Sequence, residues 1–227
     1  MRQRVLGTLT IGQAPRPDVA PIVEAHLPPG VRLIHRGVLD GLSRAEIDTS
    51  YKPEGGEPEL VTRLQDGSVV LLSRARMQGG LQQAVSALEA EGCDIVLILC
   101  TGSFEHLETR RAWLIEPDRI IPGMVAGLIQ HRQLGIIVPV ASQIASEAGK
   151  WGVLARQPIF AAASPYTDTP EALADAAKDL RARGAEAVLL DCIGFTERHR
   201  GAIAPLGLPV ILSNAAAAKA LSELLAG

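Results

Sequence analysis

Apolar residues in this chain gather into short runs separated by amphipathic stretches. Residues 5–11, 95–99, 134–138, 187–190 and 209–212 are apolar nearly throughout rather than alternating, the pattern of strands covered on both faces. Residues 77–91, 169–183 and 214–226 repeat apolar positions at helical spacing. Thr169-Pro170-Glu171 predicts a capped helix start with proline in the first helical position. Strands alternating with helices predict an α/β fold with mainly parallel sheets.

Residues 60–73 break that pattern. Two strand-like runs flank Gln65-Asp66-Gly67, a hairpin signal, and the Pro- and Gly-rich stretch 52–58 precedes them. An insertion near 52–76, forming a flap or an edge extension, is expected in the first half.

The run from Gly92 to Cys100 matches the run from Gly184 to Cys192 at a constant offset of 92 residues. Each is a helix-ending glycine, an acidic residue, an apolar strand and a cysteine. Cys100-Thr101-Gly102-Ser103-Phe104 then answers Cys192-Ile193-Gly194-Phe195-Thr196, and a further strand is expected at Ile120-Ile121 and at Val210-Ile211. A duplication accounts for this. It predicts two similar three-layer α/β lobes with a cleft between them: residues 1–132 plus 213–227 as the first lobe, 133–212 as the second, and the final helix returning to the first.

Ligands of open α/β sheets bind beyond the carboxyl ends of the strands, where Cys100 and Cys192 fall. Two thiols facing each other across one cleft suit proton abstraction on one face of a carbon and delivery on the other. Helix N-termini are expected to lower the thiol pKa. One such cysteine alone reads as a small packed hydrophobe; two at equivalent positions leave packing and catalysis both open. Cys93 reads as packing.

For a substrate carboxylate, the loop after the first strand offers Gly12 for close backbone approach, Gln13, and Arg16 for a two-pronged grip. A solvated Arg16 is the alternative, and Arg74 and Arg76 are weaker candidates. Thr101, Gly102 and Ser103 beyond the first cysteine, and Gly194 and Phe195 beyond the second, belong to the candidate cleft. His199 follows Cys192 by one to two turns and either looks back at the thiol or lies on a solvated face. Ser213 and Asn214 end the last strand and either face the cleft or cap the helix. His26, His35, His106 and His131 lack metal-ligand spacing, so no metal is expected.

Composition narrows the function classes. The formal charge of −3 and pI near 6.0 give no basic footprint for nucleic acid. The apolar runs are far shorter than a membrane span. Three cysteines without a C-x-x-C pair read as reduced thiols, and no cleavable leader follows Met1, so a cytoplasmic protein is expected. No dinucleotide, P-loop or G-x-S-x-G signature is present, and no cofactor is expected.

Residues 9–16, 116–122, 135–139 and 190–195, with His199-Arg200, Ser73-Arg74 and Leu212-Ser213-Asn214, together resemble the AroM family over nearly the whole chain. That family is similar to the aspartate/glutamate/hydantoin racemase superfamily. The resemblance implies two α/β lobes, a catalytic cysteine from each, and a racemase or isomerase of a small carboxylic acid that works without a cofactor. It also implies a homodimer. A decarboxylase or lyase using one cysteine lies close to this reading. A non-catalytic small-molecule-binding or regulatory protein linked to aromatic amino-acid metabolism is the alternative. Asp191 departs from the glycine that such racemases tend to carry before the second cysteine, and an ionised Asp191 would raise the Cys192 pKa.

Overall fold

A computed structural model describes residues 3–226. In the first half the chain forms β1 (Val5–Thr10), α1 (Ala20–Glu24), β2 (Arg32–Gly37), α2 (Arg44–Tyr51), β3 (Glu59–Arg63), β4 (Val69–Ser73), α3 (Arg74–Ala90), β5 (Ile95–Leu99), β6 (Trp113–Ile115) and α4 (Pro117–Ile129). The second half forms β7 (Leu134–Val138), α5 (Gln143–Glu147) with a 3-10 turn (Ala148–Trp151), β8 (Ile159–Ala162), α6 (Pro170–Ala182), β9 (Ala187–Leu190), α7 (Glu197–Ile203), β10 (Val210–Leu212) and α8 (Ser213–Leu225).

Two four-stranded parallel sheets result, ordered β2-β1-β5-β6 and β10-β9-β7-β8. Counted within each sheet, and with the second read from β8, both run second, first, third, fourth strand. The register agrees as well, since Leu6 pairs with Ile95 and Leu134 with Ala187, and Ile95 and Ala187 stand 92 residues apart. The duplication is therefore one of topology, with β5 and β9 as counterparts.

The central strands β1, β5, β7 and β9 are buried at every position, which is why their sequences are apolar but for Thr8 and Thr10 of β1. Thr169 caps α6 as expected, its hydroxyl accepting from the Ala172 N–H at 3.2 Å. The hairpin also forms, with Leu60 opposite Leu72 and Gly67 at φ +87° in the turn.

Ile120-Ile121 is not a strand. It lies in α4, which Pro117 starts and whose buried residues Ile121, Val125 and Ile129 recur every fourth position; the strand is the preceding Trp113–Ile115. That face packs with Leu134 and Ile136 of the second sheet and with Trp151 of the 3-10 turn. Reciprocally, Ala218, Leu221 and Leu225 of α8 pack with Leu6, Ile95 and Leu97 of the first. Each half thus lends its last helix to the other sheet. We propose the division at residues 132 and 213 as a description of the duplicated chain, with α4 crossing it in packing as α8 does.

Candidate active site

Cys100 directly follows β5, and Cys192 follows β9 by one residue. Both line one enclosed cavity between the sheets, together with Arg16, Lys150, Tyr166 and Asp191. Leu60, Val61 and Thr62 of β3 close it from the side, so the inserted hairpin is a cover. The cavity measures about 30 Å³, room for about two water molecules. Larger concavities lie outside: an open groove of about 940 Å³ beside residues 52–59, and a hollow of about 380 Å³ under the hairpin tip. Arg16 borders both the hollow and the inner cavity.

Around Cys192 the chain supplies hydrogen-bond donors. The Gly194 N–H points at the sulfur, and the Tyr166 hydroxyl stands 3.9 Å from it. Arg16 Nη2 donates to Tyr166 Oη at 3.2 Å, and the guanidinium lies 5.7 Å from the ring centroid. Asp18 accepts from Arg16 Nε at 2.9 Å and from Nη2 at 2.7 Å. Burial, and then the neighbouring Cys192, hold the Tyr166 phenol well above its usual range, so it keeps its proton. With Arg16 donating to its oxygen, that proton is available to the sulfur.

Around Cys100 the company is different. The Gly102 N–H donates to the sulfur at 3.4 Å. Behind it, Lys150 Nζ donates to the Thr101 carbonyl at 3.0 Å, pairs with Asp191 Oδ2 at 2.7 Å and lies 3.3 Å from Glu147 Oε2. Burial opposes the Lys150 charge, but the two carboxylates outweigh it and hold its pKa above the ordinary value. Glu147 also accepts from Arg74, and the Thr101 hydroxyl donates to the Asp191 carbonyl at 3.3 Å. Lys150 therefore ties the two cysteine loops to each other.

Neither thiol is activated in this closed state. Burial pushes Cys100 up to about 12 and also raises Cys192. The expectation that helix N-termini lower both pKa values is not met. The chain after Cys100 runs through turns to β6 without a helix, and α7 starts five residues beyond Cys192. Asp191 does raise Cys192, but it is the smallest of the named influences, behind burial and the Gly194, Tyr166 and Arg16 contacts. Each thiolate would raise the other thiol, so the pair ionises one member at a time. Cys93 packs against Gly7 below the sheet, with its pKa raised by burial to about 11.

Of the expected site residues, Cys100, Cys192, Arg16, Thr101 and Gly102 line the cavity. Others serve the framework. Gly12 makes room for Thr62, which a Cβ there would strike, and Gln13 bonds the Leu39 carbonyl and the Gln65 N–H. Ser103 bonds Asp118 instead of the cavity. Gly194 makes room for the Tyr166 ring. Phe195 is wholly buried against His199, whose Nδ1 accepts from the Thr196 N–H at 2.8 Å in a helix cap. Ser213 donates to the Leu190 carbonyl and Asn214 to those of Ile193 and Phe195, so both brace the Cys192 loop rather than line the cavity, while Asn214 Oδ1 also accepts from the Ala215 N–H at 2.7 Å in the first turn of α8. Arg76 pairs with Glu54 outside the cavity.

Sequence reasoning did not single out Lys150, Glu147, Tyr166, Asp18 or Thr62. Only Gly149-Lys150-Trp151-Gly152, a lysine between glycines, carried any local signal for Lys150.

The sequence model of the family described as AroM protein matches residues 6–225. No curated protein matches the chain. Among solved structures, the allantoin racemase from Klebsiella pneumoniae superposes with a TM-score of 0.64 at 17% identity, covering 98% of this chain and 88% of that one. The glutamate racemase from Francisella tularensis subsp. tularensis, in complex with D-glutamate, gives 0.61 at 15% identity, with coverage of 98% and 81%. Unliganded arylmalonate decarboxylase gives 0.56 at 13%, with coverage of 99% and 93%. At such identities the likeness is one of fold.

Proposed function

This chain belongs to the AroM family; from the site it carries, we propose a racemase or isomerase that acts without a cofactor on a small carboxylic acid, with Cys100 and Cys192 as paired acid and base. The observation that carries this reading is the opening of both repeat thiols into one enclosed cavity. Its fold neighbours include racemases, which supports the same class.

In the proposed reaction the Cys192 thiolate takes the proton from the carbon next to the carboxylate, and the Cys100 thiol gives its proton to the opposite face. The carbon is inverted, the charges on the two sulfurs are exchanged, and the reverse turn restores them. Cys192 takes the base role first because Gly194, Tyr166 and Arg16 all favour its thiolate. Arg16 and Lys150 flank the space where enolate charge develops. Because the cavity holds only about two waters, the β3–β4 hairpin must move for substrate to enter.

The second reading, a binding protein without chemistry, is favoured by one feature: Asp18 already occupies two prongs of Arg16. Solvent deuterium exchange into a panel of small amino and hydroxy acids, followed by NMR, separates the two. Exchange at the carbon next to the carboxylate supports the enzyme; ligand binding without exchange supports the alternative. We also propose a homodimer, to be checked by light scattering at micromolar concentration.

A further inference from the structure

The charges inside the cavity are already balanced. Its lining holds two cations, Arg16 and Lys150, and two carboxylates, Asp191 and Glu147. From just outside, Asp18 answers Arg16 and Arg74 answers Glu147. A ligand entering this low-dielectric space therefore finds no surplus positive charge, and a second carboxylate on it would meet no uncompensated cation.

Three side-chain atoms of the lining lack a hydrogen-bond partner: Thr62 Oγ1, whose hydroxyl can itself donate, Glu147 Oε2, which lies 3.3 Å from Lys150 Nζ, and Asp191 Oδ1. Asp191 is 3% exposed, and while its Oδ2 is held by Lys150 at 2.7 Å, its Oδ1 has no hydrogen-bond partner. A buried carboxylate oxygen without a donor forfeits the solvation it had in water and gets nothing in return. The two waters for which there is room can satisfy it in the free protein, but a ligand that displaces them must bring a donor of its own. Asp191 stands immediately before Cys192, so this vacancy lies beside the proposed reaction centre.

Resting on the proposed racemase or isomerase reading, we infer that the substrate is a monocarboxylic acid with a hydroxyl or ammonium group near its carboxylate, and that Asp191 Oδ1 selects it by accepting that hydrogen bond. The carboxylate sits toward Arg16, the donor toward Asp191, and the carbon between them is presented to both thiols. Dicarboxylates are excluded. Their second anionic group has no free cation to meet and sets oxygen against oxygen at Asp191. Acids without a donor bind weakly, because they strip the water from Oδ1 and return nothing.

Calorimetric titration of the whole protein with four small acids tests this: lactate and alanine, which carry the donor, and propanoate and malonate, which do not. Lactate or alanine should bind at least about tenfold more tightly than propanoate and malonate, the range expected when a buried polar group is left unpaired. In Asp191→Asn the side-chain carbonyl can keep the Lys150 contact while the amide NH₂ replaces Oδ1. Malonate should then gain on lactate and alanine, narrowing or inverting the order. Equal or tighter binding of malonate or propanoate by the wild-type protein overturns the inference, as does no saturable binding of any of the four at tens of millimolar. The wild-type titration decides this even if the variant does not fold. Solvent exchange measured on the same samples keeps the two ideas apart. Selective binding without exchange removes the enzyme reading and leaves the selection by Asp191; exchange with unselective binding does the reverse.

Discussion

The two cysteine loops leave equivalent strands of a duplicated fold and arrive in unlike surroundings. Cys192 sits among donors, with the Gly194 N–H, the Tyr166 hydroxyl and, through it, Arg16. Cys100 sits beside a charge network centred on Lys150 and under the hairpin of the first half, an element that the second half lacks. Duplication fixed where each sulfur stands, while the loops from the opposite lobe decide what each sulfur meets. On this account Cys192 is the more readily ionised member of the pair, and Cys100 starts as the acid.

The largest expected effect comes from removing either sulfur. Cys100→Ser and Cys192→Ser should each keep the fold and lower racemisation by about 10²- to 10⁴-fold, since a hydroxyl is too weak an acid to replace the thiol. Circular dichroism and polarimetry together check this.

Next is Lys150→Met, which should destabilise the protein by about 3–5 kcal/mol in urea unfolding by stranding the buried Asp191 and leaving Glu147 with Arg74 alone. Arg16→Met strands the less buried Asp18 and should cost less. Equal losses would undo the contrast between the two sides.

A pair of glycines sharpens the comparison further. A Cβ on Gly194 meets the half-buried Tyr166 ring, which Arg16 holds from the other side, whereas one on Gly102 meets the tip of Leu60 at 2.7 Å, the end of a flexible side chain. Gly194→Ala should cost about 1–3 kcal/mol and Gly102→Ala less.

The smallest effects concern ionisation. Tyr166→Phe should move iodoacetamide labelling of Cys192 to higher pH without moving that of Cys100, since only Cys192 loses a donor. The raised Cys100 pKa also has a stability consequence. Its contribution is present below the unfolded thiol value of about 8.5 and is lost as pH rises toward the folded value of about 12. Cys100→Ala should therefore flatten part of the alkaline decline in melting temperature, read by scanning calorimetry between pH 8 and pH 10.

The central strands were legible because burial on both faces makes β5, β7 and β9 apolar throughout and β1 apolar but for Thr8 and Thr10, whose hydroxyls are hydrogen-bonded. The edge strands were not. β2 reads Arg32-Leu33-Ile34-His35-Arg36-Gly37, half open to solvent, and β6 has three residues with Trp113 exposed, so neither pattern stands out from a loop. The cysteines were legible through the repeat. Their partners were not, because Arg16 meets Tyr166 across 150 residues and Lys150 meets Thr101 across 49, contacts that only folding creates. Gly12 and Gly194 were read as room for a ligand; the room is taken by Thr62 and Tyr166.

The most direct test of two thiols working on opposite faces of one carbon is enantiomer-resolved solvent exchange. Each pure enantiomer of an acid that the wild-type protein exchanges is incubated in deuterium oxide with Cys100→Ser and, separately, with Cys192→Ser, and followed by NMR. Each variant should wash deuterium into one enantiomer only, and the two variants into opposite ones. Loss of both exchanges in one variant with neither lost in the other would contradict the account, leaving a single cysteine to do the chemistry.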